Sequence, residues 1–262
     1  MKKCEIERAL REVGIENAPL EAMLLFEAFE GDRLARAVAR RCERYPLQYI
    51  LGKWEFYRQV YEVNEHTLIP RSDTEVLVEE AIKKLPNGAR FLDLCTGSGC
   101  IAISTLAERR DTTATAVDLF AETLAVARRN AVRNGVDARI TFLEADALEA
   151  PPPTLPRGGF DAILANPPYI RQSVMADLQR EVLYEPAAAL CGGADGLDFY
   201  RAILLQWCTL LRPSGSILFE IGYDQGAVIK ALAAQNGFSC TVKRDLGGND
   251  RVAVLTRPSS VS

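Results

Sequence analysis

Histidine is nearly absent from this chain, with His66 the single copy among 262 residues. A mechanism that needs an imidazole base has one candidate, and the β-rich, polar surroundings of His66 place it at a hairpin surface. Cysteine supplies no framework either. Cys4, Cys42, Cys95, Cys100, Cys191, Cys208 and Cys240 are odd in number and form no C-x-x-C pair. That pattern argues against zinc or any other metal site and fits reduced thiols in a cytoplasmic protein. Long apolar runs are missing as well, because the stretch Ala22 to Phe26 is cut by Glu21 and Glu27. Neither export nor membrane insertion is therefore expected. Positive charge is not in surplus, and a net charge of −4 argues against nucleic acid as the direct substrate.

What is present is an ordinary globular composition, 48% hydrophobic and 25% charged, long enough for one large domain plus a small one. Residues 1–44 read as a small helical domain with a possible partner-docking role, built from helices Glu5 to Val13, Pro19 to Phe29 and Asp32 to Arg44. The third helix carries Arg33, Arg36, Arg40, Arg41 and Arg44. A solvated face explains them, with a docking surface for an RNA-bearing partner as the sharper alternative. Residues 45–75 form a linker in which Gln48 to Pro70 has the aromatic and β-branched runs of a hairpin. From 76 to 262, after a helix Thr74 to Leu85, strands and helices alternate. The strands are Phe91 to Cys95, Thr113 to Asp118, Arg139 to Leu143, Phe160 to Ala165 and Ser216 to Ile221. The helices are Gly99 to Glu108, Ala121 to Asn134, Leu197 to Leu211 and Gln225 to Gln235. This is an α/β pattern, a mostly parallel Rossmann-like sheet wrapped on both faces. Phe238 to Lys243 and Arg251 to Leu255, joined by Gly247-Gly248-Asn249-Asp250, add a terminal antiparallel hairpin.

Two segments carry chemistry. The apolar run Phe160 to Ala165 stops at Asn166-Pro167-Pro168-Tyr169, which sets an amide, a carbonyl with no neighbouring N–H and an aromatic ring at the carboxyl edge of the sheet. Asn166 Oδ1 and the Pro167 carbonyl suit the two hydrogens of a flat NH2 group, with Tyr169 over its face; the plain alternative is a strand end and a Pro turn. The first strand of the sheet runs into Asp93-Leu94-Cys95-Thr96-Gly97-Ser98-Gly99-Cys100-Ile101-Ala102. Its glycines allow a sharp turn and close approach of a ligand, but the motif alone does not separate NAD from S-adenosylmethionine. Asp118 at the end of the second strand suits a ribose in either case. Asp146 after the third strand suits an adenine amine, and no hydride-transfer acid stands beside the motif.

Taken together, Asp93 to Ala102, Asp118, Asp146 and Asn166 to Ile170 resemble a class I S-adenosylmethionine-dependent methyltransferase. Gln48 to Gly52 with Phe56-Tyr57, Leu68 to Glu75, and Glu185-Pro186 with Gly192 to Leu197 narrow the likeness to the protein-(glutamine-N5) methyltransferases of peptide chain release factors. The resemblance implies that Cys95, Thr96, Gly97, Ser98 and Gly99 wrap the cofactor. It implies that Asp118 takes the ribose hydroxyls, that Asp146 and Ala147 line the adenine, and that Asn166 also borders the cofactor. Asn166, Pro167, Pro168 and Tyr169 would bind the substrate glutamine, with Asn166 and Pro167 acting in catalysis. Arg71, Thr74 and Glu75 would lie near the cleft, or serve as helix cap and ion pair. The implied partner is a release factor, through its Gly-Gly-Gln loop. A ribosomal-protein glutamine, a nucleobase amine and a non-catalytic cofactor-binding module are the alternatives. The chain departs from the family at Ser72, often proline, at Cys95, usually glycine, and at Ala147, often aromatic.

Overall fold

The computed structural model describes residues 1–258. The chain begins with helices α1 (Lys3–Glu12), α2 (Ala18–Ala28), α3 (Gly31–Cys42) and the short α4 (Leu47–Leu51). Ile6 and Leu10 on α1, and Leu34, Ala37 and Val38 on α3, recur at helical spacing and bury one shared core with Leu25 and Leu47. Pro19 sits in the first turn of α2, where its missing N–H costs no hydrogen bond.

The arginines of α3 do not form one solvated face. Arg41 is 5% exposed and pairs with Glu21 at 2.5 Å and Glu181 at 3.1 Å. Arg44 reaches the same Glu181 at 3.2 Å, while the Arg40 guanidinium lies 3.8 Å from the Tyr45 ring centroid. Charge spaced along a helix looks the same whether it meets water or a distant carboxylate. Glu181, on the loop after the Asn-Pro-Pro-Tyr segment, decides the matter for Arg41 and Arg44.

The linker hairpin is shorter than Gln48 to Pro70. It comprises β1 (Lys53–Phe56) and β2 (Gln59–Glu62), with Phe56 opposite Gln59 across a two-residue turn. Tyr57 and Arg58 hold φ of 44° and 67°, as the right-handed twist of a tight hairpin requires. Leu47 to Leu51 are helical because Leu47 fills the amino-terminal core.

After α5 (Glu75–Lys84), the sheet and its helices follow in the order β3 (Arg90–Leu94), α6 (Cys100–Glu108), β4 (Thr113–Asp118), α7 (Ala121–Arg133), β5 (Ile140–Glu144), β6 (Phe160–Ala165), α8 (Asp198–Leu205), β7 (Leu211–Glu220), α9 (Gly226–Gln235), β8 (Ser239–Arg244) and β9 (Asp250–Thr256). The seven strands lie in the order β5-β4-β3-β6-β7-β9-β8. β3 through β7 pair in parallel, and β9 runs antiparallel to β7 and β8. Every residue of β6 is buried, as a central parallel strand with helices on both faces must be. The first face is covered by the hairpin, α5 and α6, with Phe56, Tyr61, Leu77 and Ile103 in the core. On the other, α8 and α9 bring in Tyr200, Ile203 and Ile229.

One expected helix breaks early. Leu197 to Leu211 is not continuous, because α8 ends at Leu205, a 3-10 turn spans Trp207–Leu210, and Leu211 already belongs to β7. Trp207 is fully buried and its Nε1–H donates to the Glu149 carbonyl at 3.0 Å. Burying that ring outweighs continuing the helix. Among the described residues, no helix is long and apolar enough to cross a membrane.

Candidate active site

β3 has β4 on one side and β6 on the other, so the chain winds in opposite directions from it, and loops leaving the carboxyl ends there part to open a crevice. Leu94 and Ala165, the last residues of β3 and β6, are paired partners. The glycine loop and Asn166, far apart in sequence, therefore leave the sheet side by side.

The loop is held from behind. Cys95 takes φ of 59°, Thr96 N–H donates to the Val117 carbonyl at 3.0 Å, and Gly97 N–H donates to Asp118 Oδ2 at 2.9 Å. Asp93 is fully buried. Its Oδ2 accepts from Thr96 Oγ1 at 2.6 Å and from Ala102 N–H at 3.2 Å, which clamps the loop to the first turn of α6, and burial pushes its pKa up to about 7. Asp118 Oδ1 accepts from Phe120 N–H at 3.3 Å. Burial raises the Asp118 pKa despite these bonds.

An open cleft crosses this edge. Cys95, Gly97, Asp118, Asp146, Ala147 and Asn166 line it. Thr96, Ser98 and Gly99 do not. Thr96 and Ser98 are buried, the Ser98 carbonyl accepts from Asn130 Nδ2 at 2.9 Å, and Gly99 leads directly into α6. They shape the turn from behind. These acceptors fit an elongated ligand with a hydroxylated ring and an amine-bearing base, since carboxylates stand at Asp118 and Asp146 and nothing lies within 4 Å of where a Gly97 side chain would begin. Among the described residues, no cluster of His, Cys, Asp and Glu is arranged to hold a metal ion.

A second cavity, of about 320 Å³, opens on the other side of Asn166 and is lined by Arg71, Tyr169 and Glu220 among others. Asn166 belongs to both cavities. Its Nδ2 donates to Thr74 Oγ1 at 3.3 Å, which leaves Oδ1 to accept from a ligand. The rest of the motif divides: Pro167 is buried, Pro168 lines the first cleft and Tyr169 the second. Burial pushes the Tyr169 pKa up to about 12, so its ring meets a ligand as neutral phenol.

The flanking segments buttress this edge. Ile170 N–H donates to the Leu190 carbonyl and Gly192 N–H to the Ile170 carbonyl, each at 2.9 Å. Gln225 Nε2 donates to the Tyr169 and Gly196 carbonyls, each at 3.2 Å. Arg71 is ion-paired with the buried Glu185, whose Oε2 accepts from Ile69 N–H at 3.0 Å. Glu75 accepts from Tyr57 N–H at 2.9 Å. Thr74 makes no cap bond to α5, so its hydroxyl is free to serve Asn166.

Several lining residues gave weak sequence signals. His66 is exposed but lies beyond the hairpin, on a loop that borders the first cleft, where its carbonyl accepts from Thr123 Oγ1 at 2.7 Å. Leu119 and Phe120 line the same cleft. Their signal is two large apolar residues directly after a strand-ending carboxylate, and they remain 45% and 44% exposed. Glu220, 1% exposed, signals itself only as a carboxylate closing an apolar strand.

The family model for the methyltransferase small domain matches residues 72–194, which contain the glycine loop, Asp118, Asp146 and Asn166 to Tyr169. The chain is 40% identical to the release factor glutamine methyltransferase of Geobacter sulfurreducens, over 93% of this chain and 91% of that protein. The chain belongs to the release factor glutamine methyltransferases. A second curated member, from Nitratidesulfovibrio vulgaris, is 42% identical over 84% of this chain and 75% of its own length. The crystal structure of the ribosomal protein L11 methylase of Lactobacillus delbrueckii subsp. bulgaricus aligns with a TM-score of 0.53 at 20% identity, covering 75% of this chain and 84% of that one. At that identity it speaks for the fold alone. In this release factor glutamine methyltransferase, both cavities meet at a residue inside the matched domain.

Proposed function

We propose that this enzyme transfers a methyl group from S-adenosylmethionine to the side-chain amide nitrogen of the glutamine in the Gly-Gly-Gln loop of peptide chain release factors. The observation that carries this reading is the position of Asn166, shared by the two cavities with its NH2 engaged by Thr74. The relatives' names supply the acceptor, and the family resemblance supplies the loop.

Bound in the first cleft, S-adenosylmethionine would supply an electrophilic methyl group on sulfur. Asp118 would hold the ribose hydroxyls and Asp146 the adenine amine, with Ala147, Leu119 and Phe120 as apolar walls. Cys95 and Gly97 would offer backbone, while Thr96, Ser98 and Gly99 keep the loop in shape. A carboxamide nitrogen is a poor nucleophile because its lone pair is delocalised into the carbonyl. Asn166 Oδ1 and the Pro167 carbonyl, by accepting both amide hydrogens, would aim that nitrogen and favour localising its lone pair, with Tyr169 against the amide face. Orientation of this kind is worth roughly 7–11 kcal/mol of barrier when geometry is near attack. Transfer leaves an N-methylated amide cation that is strongly acidic, so the proton leaves after the methyl arrives and no prior base is needed. A cytoplasmic setting belongs to the same proposal and agrees with seven free cysteines.

The test is methyl transfer from labelled S-adenosylmethionine to purified release factor and, separately, to RNA. Label should enter the release factor, and Asn166→Ala should cut turnover about 100-fold or more while retaining cofactor binding. Label confined to RNA, or Asn166→Ala turnover within a few-fold of wild type, contradicts the reading.

A further inference from the structure

One wall of the second cavity is irregular chain. Leu178, Gln179, Val182, Ala189 and Leu190 supply it, and the stretch between Ile170 and Cys191 that carries them is built on the short 3-10 turns Gln172–Asp177, Val182–Tyr184 and Ala187–Ala189. Its backbone bonds run between near neighbours, as from Val182 N–H to the Gln179 carbonyl at 2.9 Å, and a bridge between Ile170 and Cys191 closes its base. A loop bonded only to itself does not fix its own place on the molecule, so the wall stands where its side chains are gripped.

There are two grips. Glu185 is held from the linker, by Arg71 and Ile69, and Pro186, Ala188 and Ala189 just after it border the first cleft. The part before Glu185 is held by the amino-terminal helices instead. Glu181 accepts from Arg41 Nη1 at 3.1 Å and pairs with Arg44 Nη1 at 3.2 Å. The Tyr184 hydroxyl donates to the Glu43 carbonyl at 3.2 Å, and its ring meets that of Tyr45 edge-on with centroids 5.1 Å apart. Arg41 is buried, and its Nε and Nη2 donate to the two oxygens of Glu21 on α2 at 2.5 and 3.2 Å. Fixed there, the guanidinium cannot follow the loop outward, and the charge-assisted bond to Glu181 sets where that part of the loop sits.

We propose that Arg41 is a positioning residue for the acceptor: through Glu181 it braces the wall of the second cavity against the amino-terminal helices and holds it in the shape that receives the release-factor loop. The inference rests on the second cavity being the acceptor's, as proposed above. The two carboxylates on Arg41 hold different things, because Glu21 ties it to α2 and Glu181 ties it to the wall. A wall freed from Arg41 samples open forms. Only the closed fraction binds acceptor, and apparent affinity falls by that fraction. Once the acceptor is bound the wall is closed again, so the loss falls on KM and not on kcat.

The experiment compares wild type with Arg41→Met, Glu181→Gln, the Arg41→Met/Glu181→Gln pair and Glu21→Gln. It measures KM and kcat on release factor, cofactor affinity by calorimetry, the urea midpoint, and the rate of trypsin cleavage after Arg180, which is exposed and adjoins Glu181. Arg41→Met and Glu181→Gln should each raise KM about 5- to 10-fold with kcat little changed, and the pair should be no worse than Glu181→Gln alone, because both changes cut one tie. Cofactor affinity should hold, since Glu185 keeps its partners. Arg41→Met should speed cleavage after Arg180 by a similar factor, as a larger open population does. Glu21→Gln should lower the urea midpoint yet leave KM and the cleavage rate near wild type. A Glu181→Gln KM within about twofold of wild type, an equal rise of KM in Glu21→Gln, or unchanged cleavage in Arg41→Met would overturn the proposal. A wild type inactive on release factor would instead reject the proposed substrate, while cleavage after Arg180 still reads the tie, which separates the two failures.

Discussion

Gly192 offers the sharpest structural test of how the acceptor pocket is held. A Cβ at this position would lie 2.5 Å from the Pro168 carbonyl oxygen and 2.8 Å from Tyr169 Cα, where ordinary contact begins at 3.4 Å. Both are backbone atoms, so no side chain can swing aside. In Gly192→Ala the Pro168-Tyr169 backbone must retreat by roughly 1 Å, and a misplacement of that size at a reacting centre costs on the order of 100-fold in rate, about 2.7 kcal/mol of barrier. The assay is steady-state methyl transfer to release factor, with cofactor affinity by calorimetry and stability by urea denaturation. Turnover should fall about 100-fold while cofactor affinity changes far less, because Asp118 closes β4 and Asp146 follows β5, away from the Pro168-Tyr169 backbone. Gly237→Ala is the control. Its φ of 77° is left-handed and nothing lies within 4 Å of the new Cβ, so it should lose about 1–2 kcal/mol of stability and no activity. Full turnover in Gly192→Ala, or equal losses in both variants, would refute the argument that this glycine sets the pocket's backbone.

Asp118→Ala should weaken S-adenosylmethionine binding by about 1.5–3 kcal/mol, the range for a hydrogen bond to a charged group, and calorimetry showing NAD as the tighter ligand would contradict the cofactor assignment. Cys95→Gly relieves a left-handed residue worth roughly 1–2 kcal/mol but adds glycine's unfolded-state freedom, roughly 0.5–1 kcal/mol. Urea denaturation should therefore show little net change, and a loss above about 2 kcal/mol would contradict that balance. The Glu220 pKa, raised from 4.5 to about 7 in the folded state, gives stability that is full below pH 4.5 and lost as pH rises through 7. Glu220→Gln should remove that component, on the order of 3 kcal/mol, flattening the decline seen by chemical denaturation between those pH values. An unchanged slope would place the titrating group elsewhere.

The elements that could be read from sequence are those whose residues respond to local rules. Phe160 to Ala165 is apolar at nearly every position because it is buried on both faces, and Asn166-Pro167 stops it because proline cannot continue the ladder. Asp93 to Ala102 was legible because its glycines mark backbone geometry. What stayed hidden depends on partners distant in sequence. Arg41 resembles any helix-face arginine until Glu181 folds over it, and the end of α8 depends on the burial of Trp207 against Glu149. Glu220 looked like an ordinary strand end, and only the folded sheet buries it against the second cavity. Leu119 and Phe120 carry no periodic or turn signal of their own, and only the fold brings them to the cleft wall beside Asp118.

The most direct test of the account is mass spectrometry of release factor after incubation with the purified enzyme and S-adenosylmethionine. One methyl group should appear on the glutamine of the Gly-Gly-Gln loop, and none when that glutamine is replaced by asparagine, whose amide is one methylene short of the methyl donor. An unmodified release factor, with label on another glutamine or on RNA, would contradict the central claim.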